Sequence, residues 1–236
     1  MENWRDTKKK AVTFSYDDGV TQDIHLIELL NKYGLKCTFN INSGFLGYDG
    51  MLVRHGGVRV SHYKIHESRL AEVYKGHEVA VHTLTHPRLN TCSDEEIVRQ
   101  VEEDRKKLSS LVGYDVVGMA YPCGSSATDE RVDKIVRERT GVLYSRGTVC
   151  SGNFDEPENM FDFKPSVYHL DFDKMMDLGK RFVELETDKP QIFYIWGHSY
   201  ELDFESDFWY RLEEFFRLIS GKDDIFYGNN TEVLIK

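Results

Sequence analysis

Two pairs of residues in this sequence have the types and the spacing of a metal-assisted hydrolytic site. Asp17 and Asp18 are adjacent in the segment SYDDG, and His82 and His86 are four residues apart in the segment HTLTH. Adjacent carboxylates raise each other's pKa unless a positive group lies beside them. Two histidines and one carboxylate form a ligand set that leaves coordination positions open for water and substrate. One aspartate would then hold a metal, and the other would be free to act as a base.

The segments before these residues predict the elements that position them. Residues 11–19, AVTFSYDDG, are apolar and β-branched up to the two aspartates, which predicts a buried strand that ends there. Residues 77–86, HEVAVHTLTH, are predicted to form a strand followed by a loop. Pro87 disfavours a helical conformation at His86, so we expect a tight loop, rather than one face of a helix, to bring the two imidazoles together.

Short strand segments alternate with helical segments along the whole chain. The clearest helix begins at Ser93, where Ser93 and Glu96 have the spacing of a capping box. Regular βα alternation predicts a mostly parallel sheet, and seven or eight units predict closure into a barrel with functional residues at the carboxyl ends of the strands. An open, doubly wound sheet is the alternative fold. A further strand is predicted over residues 191–202, QIFYIWGHSYEL. The predicted strand ends add four polar residues to the two pairs, namely Asn42, Cys123, Arg146 and His198.

The composition limits the class of partner. The chain has 40 acidic and 30 basic residues and a net charge of −10, which argues against nucleic acid and favours a neutral substrate. Four scattered cysteines without a CxxC pair favour free thiols in a reducing compartment. The sequence contains no apolar stretch of membrane-spanning length and no signal-peptide pattern. We therefore expect a cytoplasmic protein that binds neither nucleic acid nor membranes; its oligomeric state is left open.

Four motifs, SYDDG, HTLTH, AYPCG and IWGH, resemble in their order and spacing those of the polysaccharide deacetylase family, the NodB-homology enzymes of carbohydrate esterase family 4. The resemblance extends from about Val12 to the end of the chain, so we expect residues 1–236 to form a single catalytic domain. It implies a distorted (β/α) barrel of seven or eight units that uses a divalent metal to remove acetyl groups from an N- or O-acetylated carbohydrate. Zinc is the metal expected first, and cobalt, nickel and manganese are the alternatives.

The resemblance also implies a role for each matching residue. Asp17 resembles the catalytic base and His198 the general acid, whereas Asp18, His82 and His86 resemble the metal ligands. The backbone N–H of Cys123 falls where family members help to stabilise the oxyanion. We expect contacts with the substrate from four residues of the later motifs: Tyr121, Cys123, Trp196 and Tyr200.

The sequence departs from the family pattern at three positions. The third motif usually carries an arginine that pairs with the catalytic aspartate, but Ala120 stands there. Trp196 stands where a leucine usually lines the acetyl pocket, and Ser199 replaces an aspartate that often follows the histidine. We predict that Arg146, at the end of the next strand, supplies the missing guanidinium to Asp17. The alternative is a surface arginine at a strand exit.

Other functions are compatible with parts of this pattern. The same ligand types bind Fe(II) in non-haem oxygenases, although usually on an all-β jelly roll. A related barrel could instead hydrolyse another non-peptide C–N bond, such as that of a small amide or a cyclic imide. A sugar-binding module that has lost catalysis is a third alternative, and the complete set of aspartates and histidines argues against it.

A glycine-rich, irregular insertion follows the second predicted strand, from Phe45 to about Ile65. The histidines in and beside it, His55, His62 and His66, are interpreted as solvated loop residues, and a loop that covers the substrate is the alternative.

Overall fold

A curled parallel sheet forms the centre of the protein, as seen in a computed structural model that describes residues 3–54 and 56–235. Seven strands follow one another in the order β7-β6-β5-β2-β1-β9-β8, and β10 also pairs with β1. The strands β3 and β4 form a separate antiparallel hairpin in the insertion. The strand bounds are β1 Lys10–Asp17, β2 Cys37–Ile41, β3 Met51–Val53, β4 Arg59–Ser61, β5 Glu78–Val81, β6 Gly118–Ala120, β7 Tyr144–Arg146, β8 Val167–Tyr168, β9 Gln191–Gly197 and β10 Ile225–Tyr227.

Helices connect most of the parallel strands. The longest, α4, begins after the N-cap Ser93 and is followed by Gly113, which has the left-handed conformation of a helix C-cap. None of the helices in the described part of the chain is long and apolar enough to cross a membrane. The helix bounds are α1 Trp4–Thr7, α2 Asp23–Lys32, α3 Leu70–Val73, α4 Asp94–Val112, α5 Glu130–Arg139, α6 Phe172–Glu184, α7 Phe208–Ile219 and α8 Asn230–Leu234.

The strand β1 is the central element, because its eight residues are long enough to pair with three strands. β9 pairs with nearly all of β1, β10 pairs with its first part, and β2 pairs with its second part. All eight residues are buried. On one face of β1, Phe14 packs edge-to-face against Phe215 and Phe216 of α7, so the hydrophobic core lies between the sheet and its helices.

The opposite face of β1 is polar and forms hydrogen bonds with neighbouring strands. Thr13 donates to Asn230 at 2.8 Å, and Asn40 of β2 donates to both Ser15 and Asp17 at 2.8 Å. The alternation of apolar and polar partners follows from the two-residue period of a strand. Because these buried polar groups are hydrogen-bonded to one another, Asp17 is held in a defined position at the carboxyl end of β1.

One segment connects the two edges of the sheet. Phe163 forms a parallel bridge with Arg146 of β7, and a few residues later the same segment becomes β8, which pairs with β9. The sheet therefore curls into a distorted barrel, which confirms the predicted fold class and excludes the open sheet. β8 and the hairpin of β3 and β4 were not predicted from the sequence; each of these strands has only two or three residues and lies in a segment interpreted as irregular.

Two local predictions were wrong in detail. The strand predicted over QIFYIWGHSYEL ends at Gly197, and Ser199–Asp203 forms a 3₁₀ turn, in which the Glu201 carboxylate accepts from the His198 N–H. At the start of α4, Ser93 accepts from the Glu96 N–H, but the Glu96 carboxylate pairs with Arg99 instead of completing the capping box.

Candidate active site

The predicted metal ligands meet at the carboxyl ends of β1 and β5, which lie on either side of β2 in the sheet. Asp18 directly follows β1, and His82 and His86 lie in a non-helical loop after β5, as predicted. Asp18 Oδ1 is 4.0 Å from His82 Nε2 and 3.9 Å from His86 Nε2. One ligand atom from each of the three residues lies within 4.8 Å of the others. This spacing is suitable for one cation between them.

His82 has the tautomer and the neutral charge state of a metal-binding histidine. Its Nδ1 is 2.8 Å from the carbonyl oxygen of Ala120, which can only accept, so Nδ1 carries the hydrogen and Nε2 presents its lone pair towards Asp18. Burial lowers the pKa of His82 to about 4, so the ring is neutral at pH 7. A neutral imidazole with its other nitrogen hydrogen-bonded is the form that ligates metals. The residues present therefore fit a divalent cation.

The loops of the site have strained backbone conformations. Among the described residues, the non-glycine residues with positive φ are Asp18 at 86°, Thr83 at 65°, His86 at 56° and Cys123 at 60°, and all of them lie at this site. Such conformations cost of the order of 1–3 kcal/mol each and persist only where the surroundings impose them. Asn42 contributes here, because its Nδ2 donates to the carbonyl oxygens of His82 and Thr83.

Asp17 is a buried carboxylate held in the ionised form. Only 2% of the residue is exposed, and Nη2 of Arg146 lies 2.5 Å from each of its two oxygens. Asn40 donates to Oδ1 at 2.8 Å. Burial acts to raise the pKa of Asp17, but the charge and hydrogen bond of Arg146, together with the nearby His82 and His198, outweigh burial and lower the pKa below its usual value. An ionised carboxylate in this position can accept a proton.

Arg146 is fully buried, so the interpretation as a surface arginine is wrong. Besides Asp17, it donates to Ser15 and to the Gly147 carbonyl oxygen, and its guanidinium lies 4.7 Å from the centroid of the Trp196 ring. Arg146 is the register partner of Ala120 in the neighbouring strand, which explains how it reaches the same aspartate. The predicted contact is thus present, while its effect on turnover stays a prediction.

His198 lies on the other side of Asp17, and its Nε2 is 3.9 Å from Asp17 Oδ2. Its Nδ1 donates to Glu201 at 3.0 Å, and the same carboxylate accepts from Tyr168 and His169. Burial works against a positive charge on His198, but the charge and hydrogen bond of Glu201, together with the charges of Asp17 and Asp18, outweigh burial and raise the pKa of His198 to about 9. The ring can therefore act as a proton donor.

Glu201 was missed in the sequence analysis, because the prediction continued β9 through HSYEL as an extended strand. An acidic residue three positions after His198, at the start of a 3₁₀ turn, was the available signal. Gly197 leaves the space that the His169 ring needs to contact Glu201. A Cβ atom at Gly197 would lie 2.2 Å from the His169 ring, so a larger residue would displace the ring that supports Glu201.

The predicted site residues surround one cavity of about 370 Å³. All of them line it except Arg146, which lies behind Asp17, and Asn42, which is bonded to the backbone of the histidine loop. The Trp196 indole donates to Cys150, and the Tyr200 ring lies 5.2 Å from that of His198. The lining residues are Asp17, Asp18, His82, His86, Tyr121, Cys123, Gly124, Thr148, Trp196, His198 and Tyr200.

The insertion contributes two residues that were not predicted for the site. The interpretation of His62 as a solvated loop residue is wrong, since its Nε2 is 3.2 Å from Asp18 Oδ2. Lys64 donates to the Asp18 carbonyl oxygen at 2.7 Å. Burial acts to raise the pKa of Asp18, but the bond from His62 and the charge of Lys64 hold it well below its usual range. His66 is exposed, as predicted, and His55 lies outside the described residues.

The sequence model of the polysaccharide deacetylase family matches residues 5–141, more than half of the chain. The chain belongs to the polysaccharide deacetylase family. Among curated proteins, this family member is 24% identical over 136 residues to a peptidoglycan-N-acetylglucosamine deacetylase of Listeria monocytogenes. That alignment covers 56% of this chain and 24% of the relative, so the matched part is about a quarter of the relative's length.

Solved structures of the polysaccharide deacetylase family share the fold. A candidate deacetylase from Mycobacterium smegmatis superposes with a TM-score of 0.68 at 15% identity and covers 99% of this chain and 91% of that one. A family 4 carbohydrate esterase from Streptomyces lividans, in complex with acetate, has a TM-score of 0.57 at 14% identity, covering 94% and 93%. A family 4 pseudoenzyme from Bacillus anthracis has a TM-score of 0.59 at 19% identity, covering 96% and 66%. Since this fold occurs in esterases and pseudoenzymes alike, activity must be argued from the site.

Proposed function

We propose that this protein is a metal-dependent hydrolase that removes acetyl groups from an N- or O-acetylated carbohydrate, and that the whole chain forms one catalytic domain. The observation that carries this proposal is a base and an acid with opposite charges in one cavity. Asp17 is ionised beside Arg146, and His198 is protonated beside Glu201, with 3.9 Å between the first carboxylate and the imidazole. A module that only binds sugar has no need of two titratable groups tuned in opposite directions.

Asp18, His82 and His86 would hold the metal, with zinc expected first and cobalt, nickel or manganese as alternatives. A divalent cation in such a site lowers the pKa of water and polarises the acetyl carbonyl. Asp17 accepts the proton of the attacking water, while Arg146 keeps its carboxylate oriented and ionised.

The leaving group departs on the His198 side of the cavity. His198 donates its Nε2 proton to the departing amine or alcohol, and its pKa of about 9 means that it carries this proton at neutral pH. The backbone N–H of Cys123 is the proposed donor to the oxyanion of the tetrahedral intermediate.

The substrate expected first is a neutral acetylated amino sugar. The net charge of −10 disfavours anionic polymers, and the rings of Trp196 and Tyr200 in the cavity can stack on a sugar. The Listeria relative is named for action on N-acetylglucosamine of peptidoglycan, which selects the first compound to test. A second candidate is the hydrolysis of a small amide or a cyclic imide, because Ala120 and Trp196 replace residues that are usual in the family motifs and can change the substrate.

Hydrolysis of a panel of substrates tests the proposal, measured as acetate release from the acetylated sugars and as cleavage of the C–N bond in the amides and imides. The panel contains N-acetylglucosamine oligomers, O-acetylated xylo-oligosaccharides, small amides and cyclic imides, each incubated with zinc-loaded and chelator-treated protein. We expect release of acetate from at least one acetylated sugar, its loss after chelation and its recovery on adding Zn²⁺. Hydrolysis of only the amides or imides would establish the second candidate. Full turnover in a metal-free sample would refute metal dependence.

A further inference from the structure

The insertion between β2 and α3 is attached to the turn that carries Asp18. Val20 and Lys64 form an antiparallel bridge, and the N–H of Ile65 donates to the carbonyl oxygen of Gly19 at 2.9 Å. The N–H of Thr21 donates to the Tyr63 carbonyl oxygen at 2.8 Å. Residues 63–65 therefore pair antiparallel with residues 19–21 through an isolated bridge, which gives the adjacent His62 a defined position relative to Asp18.

The two carboxylate oxygens of Asp18 have different partners. Oδ1 faces Nε2 of His82 and Nε2 of His86 at 4.0 and 3.9 Å, and Nζ of Lys64 lies 3.6 Å from the same oxygen. Oδ2 is 3.2 Å from Nε2 of His62. Because an ionised carboxylate can only accept, His62 Nε2 is the donor. The His62 ring is held in turn by an edge-to-face contact with Tyr200, at 4.8 Å between the centroids, and only 19% of its side chain is exposed.

We propose that His62 is a positioning residue that presents Oδ1 of Asp18 to the histidine pair and thereby sets the affinity of the protein for its divalent metal. The inference rests on the proposed function, since it concerns the same metal site. The hydrogen bond from His62 to Oδ2 restricts rotation of the Asp18 carboxylate about its Cβ–Cγ bond. Without His62, this rotation must be frozen when a cation binds, so binding becomes weaker. Mutation of a residue that hydrogen-bonds to a metal ligand typically weakens metal binding by about 10–100-fold.

The test compares two substitutions of His62 that separate its hydrogen bond from its packing. His62→Phe retains a ring against Tyr200 but removes the donor, whereas His62→Gln retains an N–H donor at a similar distance from the backbone. Affinity for Zn²⁺ and for Co²⁺ is measured on metal-free protein by competition with a chromophoric chelator. We expect His62→Phe to bind each metal about 10–100-fold more weakly, and His62→Gln to bind close to the wild type.

His66→Phe is the matched control, because His66 lies just beyond the same insertion and is exposed, and the hydrogen bonds of its ring within the described part of the chain go to Ser68 and not to the metal site. It should bind both metals like the wild type. Thermal unfolding of each metal-free variant shows whether the fold is retained; if His62→Phe unfolds, His62→Ala replaces it in the comparison with His62→Gln.

Wild-type affinity in the donor-free variant would overturn the inference, and so would equal weakening in His62→Gln. If the wild-type protein itself bound neither Zn²⁺ nor Co²⁺, the proposed function would fail instead, so the two failures are distinguishable.

Discussion

Replacing Arg146 by methionine tests whether its ion pair with Asp17 makes that carboxylate an effective base. Methionine fills part of the space beside Trp196 and removes the guanidinium. The side chains of Arg146 and Asp17 are 0% and 3% exposed, so bulk water does not compensate for the lost cation on the Arg146 side of the carboxylate. The substitution therefore leaves a buried carboxylate without its main partner.

The loss of one partner of a buried ion pair lowers stability by about 3–5 kcal/mol. Asp17 would still accept from Asn40 at 2.8 Å and would still face His198 at 3.9 Å, so we expect a value near 3 kcal/mol, the lower end of that range. Because the pKa of Asp17 is lowered in the native protein, this stabilisation is present above the unfolded-state pKa of about 3.9 and is lost as the pH falls through the folded-state pKa. The stability difference between the two proteins should therefore narrow in acid.

Turnover should fall by at least about tenfold in Arg146→Met, because the base is no longer oriented and ionised by the guanidinium. Removing a nearby positive charge raises the pKa of a carboxylate, so the acidic limb of the pH–rate profile should move to higher pH. Metal content should be unchanged, since Arg146 hydrogen-bonds to Asp17 and not to the proposed ligands.

The assay combines the pH dependence of kcat/KM with elemental analysis and denaturant unfolding. A double-mutant cycle with Asp17→Asn isolates the coupling between the two side chains. Since Ala120 and Arg146 are register partners, the double variant Ala120→Arg/Arg146→Ala moves the arginine to the position usual in the family and should recover part of the turnover. An Arg146→Met protein with wild-type turnover and an unshifted acidic limb would refute this reasoning.

The two aspartates should divide their roles: Asp17→Asn keeps the metal but loses about 10²–10⁴-fold in turnover, whereas Asp18→Asn loses metal first. Equal metal loss in both variants, with unchanged turnover per bound metal, would contradict the assignment. Glu201→Gln should lower the pKa of His198 from about 9 and move the basic limb of the pH–rate profile to lower pH, because the acid then loses its proton earlier. Tyr168→Phe is the control, because it removes a hydrogen bond to Glu201 but keeps the negative charge of Glu201. An unshifted basic limb in Glu201→Gln would argue against His198 as the acid.

The parts of the protein that were predictable from the sequence are those that depend on neighbours along the chain. The apolar run before Asp17 forms β1, and Pro87 keeps the histidine segment out of a helix. Alternation of strand and helix patterns predicted the parallel sheet, because parallel strands require a crossover between them. Once the strands are parallel, their carboxyl ends lie at one edge, which brings Asp18 together with the histidine pair.

Only the tertiary structure decided which other polar side chains join the site. Arg146 is separated from Asp17 by 129 positions, and whether its side chain contacts that aspartate or the solvent depends on the curl of the sheet. His62 reaches Asp18 because the insertion pairs with residues 19–21, a contact between segments that have no common periodicity. Glu201 reaches His198 because a turn begins where an extended strand was expected. Periodicity reports which face of an element is buried, whereas such long-range pairings depend on the packing of whole elements.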